Sequence, residues 1–149
     1  MMLIKPAAMD SPNYLDQTSS VSFPNMFLSG CHLYQQGHYE RACECFRKVV
    51  EKNEKSLYYE SRFNLGACLF KMAEFKQALL QFTTLLNEQK QAADKARDSN
   101  SRTDLTKKVF RKFVGRDRRL YFNKALCELQ MGLFDQAIAT CKAYLKPVK

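Results

Sequence analysis

The chain has 149 residues, with 24 Lys and Arg against 15 Asp and Glu and a formal net charge of +9, and that length corresponds to one domain. With 46% apolar residues and only 5 Gly and 4 Pro, the composition is that of a chain that buries a core and excludes a disordered or collagen-like protein. No stretch reaches the ~18 consecutive apolar residues of a membrane-spanning helix, and the apolar beginning is interrupted by Lys5 and Pro6, with Asp10 and Asp16 following. This suits neither a secretory signal nor a transit peptide, so a cytoplasmic location is expected.

Residues 1–23, with Ser11-Pro12-Asn13, a Thr18-Ser19-Ser20 run and no hydrophobic period, read as a mobile tail. A first helix is expected to open near Ser22, which can cap it, with Pro24 tolerated in the first turn. From here a repeat runs through the chain. Gly30, Gly37, Tyr39, Ala42 and Phe46 recur at the same offsets as Gly66, Ala73, Phe75, Ala78 and Phe82, and again as Ala125, Gly132, Phe134, Ala137 and Cys141. Asn53–Ser56 joins the first two copies.

Between the second and third copies the spacing breaks. Residues 87–97 are helix formers and lengthen the preceding helix; Asp98-Ser99-Asn100-Ser101 is a turn. Thr103 or Asp104 then caps a short helix with Leu105, Val109, Phe110, Phe113 and Val114 on one face, and Gly115 ends it. Most of the charge lies here. Arg102, Lys107, Lys108, Arg111, Lys112, Arg116, Arg118 and Arg119 outweigh Asp104 and Asp117, placing +6 of the +9 within 18 residues.

The repeat resembles the tetratricopeptide (TPR) family, whose motif reads W-x2-L-G-x2-Y and then A-x3-F over 34 residues. The second copy carries it best, as Leu65-Gly66-x2-Leu69 and Ala78-x3-Phe82. The resemblance implies an all-α, right-handed solenoid of three antiparallel helix pairs, with the basic helix inserted before the third. The expected boundaries are 24–53 for repeat one, 57–90 for repeat two with an extended second helix, 91–116 for the insert and 117–146 for repeat three. Small residues (Gly30, Gly66, Ala125; Ala42, Ala78, Ala137) allow close backbone approach, and Tyr39, Phe75 and Phe134 plug each pair. Gly37 and Gly132 suit a helix end that needs a left-handed residue, while Ala73 is expected to manage without one. The sequence departs from the motif at Met26, Ser29, Arg62, Lys124 and Glu128.

The residues hold no phosphate loop, H-E-x-x-H, nucleophile elbow or paired carboxylates near a His, which excludes the common enzyme classes. Cys31, Cys43, Cys45, Cys68, Cys127 and Cys141 form no C-x-x-C pair, and His32 and His38 do not share a helical face. They read as reduced, buried, small hydrophobes, and neither a metal nor a cofactor is expected.

A binding module is the class that remains. In the TPR resemblance the first helix of each pair lines a concave groove, which here would offer Phe27, Phe63 and Phe122 at one offset, Tyr34, Phe70 and Leu129 at a second, and Leu28, Asn64 and Asn123 at a third. Asn amides carry donors and acceptors, so a ladder of them can grip a bound backbone while aromatics take side chains. The implied function is a non-catalytic adaptor or scaffold subunit binding a partner peptide or helix. The positions of a chaperone-tail clamp are held by Phe27, Cys31, Asn64, Arg119 and Asn123, and only Asn64 matches, so that specificity is rejected. The alternative is electrostatic binding of nucleic acid, anionic membrane or an acidic protein tail through the basic insert, which also reads as a solvated helix face. The third repeat has no polar capping helix after Tyr144-Leu145-Lys146-Pro147, so a larger complex or self-association is expected to cover it.

Overall fold

The computed structural model describes residues 1–6, 23–52, 57–98 and 117–146. Among these described residues six helices follow in order: α1 (Phe23–Gln35), α2 (Tyr39–Glu51), α3 (Tyr58–Lys71), α4 (Phe75–Asp98), α5 (Arg118–Gln130) and α6 (Phe134–Leu145). Among the described residues there is no strand. The expected Ser22 cap, the Asn53–Ser56 connection and the basic helix with Leu105, Val109, Phe110, Phe113 and Val114 lie outside the described residues.

The helices pack as antiparallel pairs, α1 with α2, α3 with α4 and α5 with α6. Each second helix also packs on the first helix of the next pair, and α1, α3 and α5 adjoin one another on one side. Every pair turns in the same way. Gly37, Ala73 and Gly132 all have positive φ, at 83°, 61° and 73°. Their N–H groups donate to Tyr34, Phe70 and Leu129, while the next N–H of His38, Glu74 and Leu133 reaches back to Leu33, Leu69 and Glu128. That two-bond closure satisfies the last carbonyls of the first helix and reverses the chain.

Inside repeats one and two, a ring from the second helix lies on a bare backbone of the first. A methyl group on Gly30 would stand 2.8 Å from the Phe46 ring, and one on Gly66 would stand 2.7 Å from the Phe82 ring. The ring then meets a phenylalanine of the first helix edge-on, Phe46 with Phe27 at 5.7 Å between centroids and Phe82 with Phe63 at 5.5 Å. Phe46, Phe63, Phe82, Leu85 and Leu120 are among the largest fully buried side chains, and each such burial contributes about 1.5–3 kcal/mol.

Repeat three departs from this at matched positions. Cys141 replaces the capping ring and is exposed, so Ala125 fits in the glycine slot and Phe122 is left 46% exposed. The two motif departures Lys124 and Glu128 are partners. The buried Glu128 carboxylate accepts from Lys124 Nζ and from Thr140 Oγ1 at 2.8 Å, and Lys124 Nζ also donates to Thr140 Oγ1 at 3.0 Å. A buried charge stays affordable only when paired in this way. Phe134, Ile138 and Leu145, at 61%, 53% and 75% exposure, stand on the same repeat and leave it with an apolar surface.

Candidate functional site

Asn64 on α3 and Asn123 on α5 occupy the same repeat offset, and both are fully buried. A buried primary amide must find partners for its N–H2 and its oxygen, and here residues 1–6 supply them. Asn64 Oδ1 accepts from the Ile4 N–H at 2.8 Å, and its Nδ2 donates to the Ile4 carbonyl, also at 2.8 Å. Asn123 repeats the arrangement on Met2, with Oδ1 accepting from Met2 N and Nδ2 donating to Met2 O, both at 3.0 Å. Gripping residues two apart from one side is the register of an extended chain. The segment therefore crosses from repeat three towards repeat one.

At the repeat-one end the Cys31 thiol, rather than an amide, faces the segment. Its Sγ donates to the Ile4 carbonyl at 3.7 Å, and Asn64 Nδ2 also reaches Cys31 Sγ at 3.5 Å. Burial pushes the Cys31 thiol up to about 12, against opposing effects of the Asn64 hydrogen bond and the Lys5 charge. It stays protonated at neutral pH and is no nucleophile. Ile4 is buried in the same apolar cluster as Phe27, Cys31 and Phe63, with Met1, Met2 and Leu3 partly buried against it; Lys5 is exposed. Residues 1–6 thus lie on the helices, where a mobile tail was expected over 1–23; the rest of that stretch, to Ser22, lies outside the described residues.

The third-offset residues meet at the segment through Asn64 and Asn123, while Leu28, their counterpart on α1, is half-buried. The first offset divides. Phe27 and Phe63 face Phe46 and Phe82 inside their own pairs and are core, not groove lining, because each sits beside the glycine on which the opposing ring rests. Phe122 has no such ring and is exposed. At the second offset Tyr34 and Phe70 are half-buried and pack edge-on against Tyr39 and Phe75 at 5.2 and 5.1 Å, beside the turns. The Tyr34 hydroxyl is buried without a hydrogen-bond partner, and burial, foremost, holds it up to about 12. Leu129 is exposed.

Of the basic residues, Arg102, Lys107, Lys108, Arg111, Lys112 and Arg116 lie outside the described residues, and Arg118 is exposed. Arg119 is committed internally. Its Nε donates to Asp117 at 3.0 Å, and its guanidinium lies 5.8 Å from the Phe63 ring centroid. Asp117 caps α5 by accepting from the Arg119 N–H, and it also accepts from the Tyr59 hydroxyl of α3 at 2.8 Å. Burial would raise the Asp117 carboxyl, but the bonds from Arg119 and Tyr59 prevail and hold it below the usual carboxylate range.

Among the described residues no group of three or more His, Cys, Asp or Glu is placed to hold a metal ion. None of the six cysteines is in a disulfide. Cys68 is pushed far up by its hydrogen bond with Cys43 and by burial.

Three repeated helix pairs with identical turns, and first helices side by side, are the architecture the motif implied. Residues 119–146 match the family model described as Tetratricopeptide repeat. The chain carries a tetratricopeptide repeat at 119–146 and folds as helical repeats of that type. Residues 16–84, under half of the chain, match the model described as Anaphase-promoting complex, cyclosome, subunit 3; this is a likeness of that stretch and identifies no sub-family. No curated protein and no solved structure matches the chain. Tetratricopeptide repeats generally mediate protein–protein interaction and are typically non-catalytic. Among the described residues no helix is long and apolar enough to cross a membrane.

The sequence reading missed the segment that meets the Asn amides, and with it Cys31 as a third contact. The available signal was the apolar run before Lys5 and Pro6, which is too short to carry a period of its own.

Proposed function

We propose that this helical-repeat protein is a non-catalytic adaptor or scaffold subunit that binds an extended segment of a protein partner along α1, α3 and α5. One observation carries the reading: two buried asparagines on successive repeats each spend both halves of their amide on the main chain of an extended segment. Main-chain recognition of this kind takes any strand-like peptide and leaves selectivity to the side chains between. The likeness of residues 16–84 to a subunit of a complex, and the apolar surface of repeat three, support a place in a larger assembly.

The test is capture of partners from a cell lysate at two salt concentrations. Asn64→Ala with Asn123→Ala is expected to reduce capture at least about tenfold while helicity by circular dichroism is unchanged, and binding by the parent should vary little with salt. Undiminished capture by the folded double variant would show the groove reading to be wrong. The alternative through the basic insert requires the opposite pattern, a steep loss with salt and on charge reversal at Lys107, Lys108, Arg111 and Lys112.

A further inference from the structure

We infer that Met1–Pro6 is the groove's own ligand held in cis, so that the protein is self-occluded and a partner engages by displacing it with an extended segment carrying an aliphatic residue at the Ile4 station. The inference rests on the groove reading above and adds to it the ligand's class, its direction and its resident competitor.

Five hydrogen bonds reach main-chain atoms of Met2 and Ile4, so any extended segment can make them. Within residues 1–6 only Ile4 is a buried side chain, which makes its station the place where side chains are selected. The Cys31 thiol on the Ile4 carbonyl and the Asn123 amide on Met2 set the polarity, from repeat three to repeat one.

The first two helix pairs are held by rings of their own, Phe27 on Phe46 and Phe63 on Phe82, and all three by the shared turn bonds, contacts that are made without the segment. Residues 1–6 also fall outside both matched stretches, 16–84 and 119–146, so the occupant belongs to this chain and not to the repeat motif. A six-residue segment with one buried side chain binds weakly when free, but tethering raises its effective concentration to the order of mM. A competitor must overcome that tether, and its apparent affinity falls by the fraction of groove left open.

The probe is a peptide of residues 1–6 with a dye at its C-terminus, titrated by fluorescence anisotropy. Three forms of the full chain are compared: unaltered, Ile4→Asp, and cut at a protease site inserted between Gln17 and Thr18, which severs the tether while leaving residues 1–6 and the six helices unchanged in sequence. The Ile4→Asp protein is expected to bind the probe at least about tenfold more tightly than the unaltered chain, the cut protein to exchange its own piece for the probe, and a probe carrying Asp in its fourth place to bind neither. Equal affinity of the unaltered and Ile4→Asp proteins overturns self-occlusion and leaves the groove reading standing. A cut protein that retains its piece without exchange makes the segment a fixed part of the fold and overturns the proposal too. If no form binds the probe, or if Asn64→Ala with Asn123→Ala in the Ile4→Asp chain leaves binding unchanged, the groove reading fails as well.

Discussion

Gly66 lies under the ring of Phe82 so closely that a methyl group in place of its hydrogen would stand 2.7 Å from Cζ. Phe82 is fully buried against Phe63, so the ring has little room to withdraw. Gly66→Ala is expected to destabilise the protein by about 1–3 kcal/mol in urea unfolding, despite alanine's better helix propensity. In a Phe82→Leu background the same change should cost less, because repeat three already tolerates Ala125 opposite Cys141. A double-mutant cycle measures that coupling.

Ala73 makes the same left-handed turn as Gly37 and Gly132, at φ 61°, while carrying a Cβ. The strain of that conformation exceeds the entropy that glycine adds to the unfolded chain. Ala73→Gly should therefore stabilise by about 0.5–1 kcal/mol, seen as a higher melting temperature with unchanged helicity.

Asp117 joins α3 to α5 through Tyr59 and caps α5 through the Arg119 N–H. Its folded-state carboxyl lies below the ordinary range, so the unfolded chain takes up the proton first as acid is added. The stabilisation is fully present above about pH 4 and is lost as pH falls through the folded value. Asp117→Asn should lower the urea midpoint at pH 7 and have a smaller effect at pH 3, and Asp117→Ala should cost about 1 kcal/mol more through loss of the cap. An equal effect of Asp117→Asn at the two pH values would contradict this account.

Cys31 and Cys127 are buried thiols raised to about 12, in each case chiefly by desolvation, whereas Cys141 is exposed. Alkylation with iodoacetamide at pH 8, followed by peptide mass mapping, should mark Cys141 first and leave Cys31 and Cys127 protected for as long as the protein is folded. Comparable early labelling of Cys31 would mean that the Ile4 carbonyl and its surroundings do not cover it.

The groove residues show how far offsets reach. Phe63 and Asn64 are neighbours in sequence, and on a helix neighbours point about 100° apart, so at most one of them faces a given partner. The repeat identifies both positions as special but does not tell which way the ridge turns. That was settled by Phe82, whose ring occupies the space beside Gly66 and draws Phe63 into the pair, leaving Asn64 to face the segment. Lys124 and Glu128 looked like defects of the third copy for the same reason, since their compensation runs through Thr140 on the other helix.

The sequence by itself determined the repeating helix pairs, the left-handed turns at Gly37 and Gly132 and the asparagine positions, because small residues, turn residues and aromatics act over a few residues of chain and recur with a period. Only the tertiary structure decided what the asparagines hold. The bonds from Asn64 to Ile4 and from Asn123 to Met2 span 60 and 121 residues, and no local pattern records which backbone will supply a buried amide with its partners. That choice is made by the space left when the helices have packed and by the need to satisfy each buried donor and acceptor there.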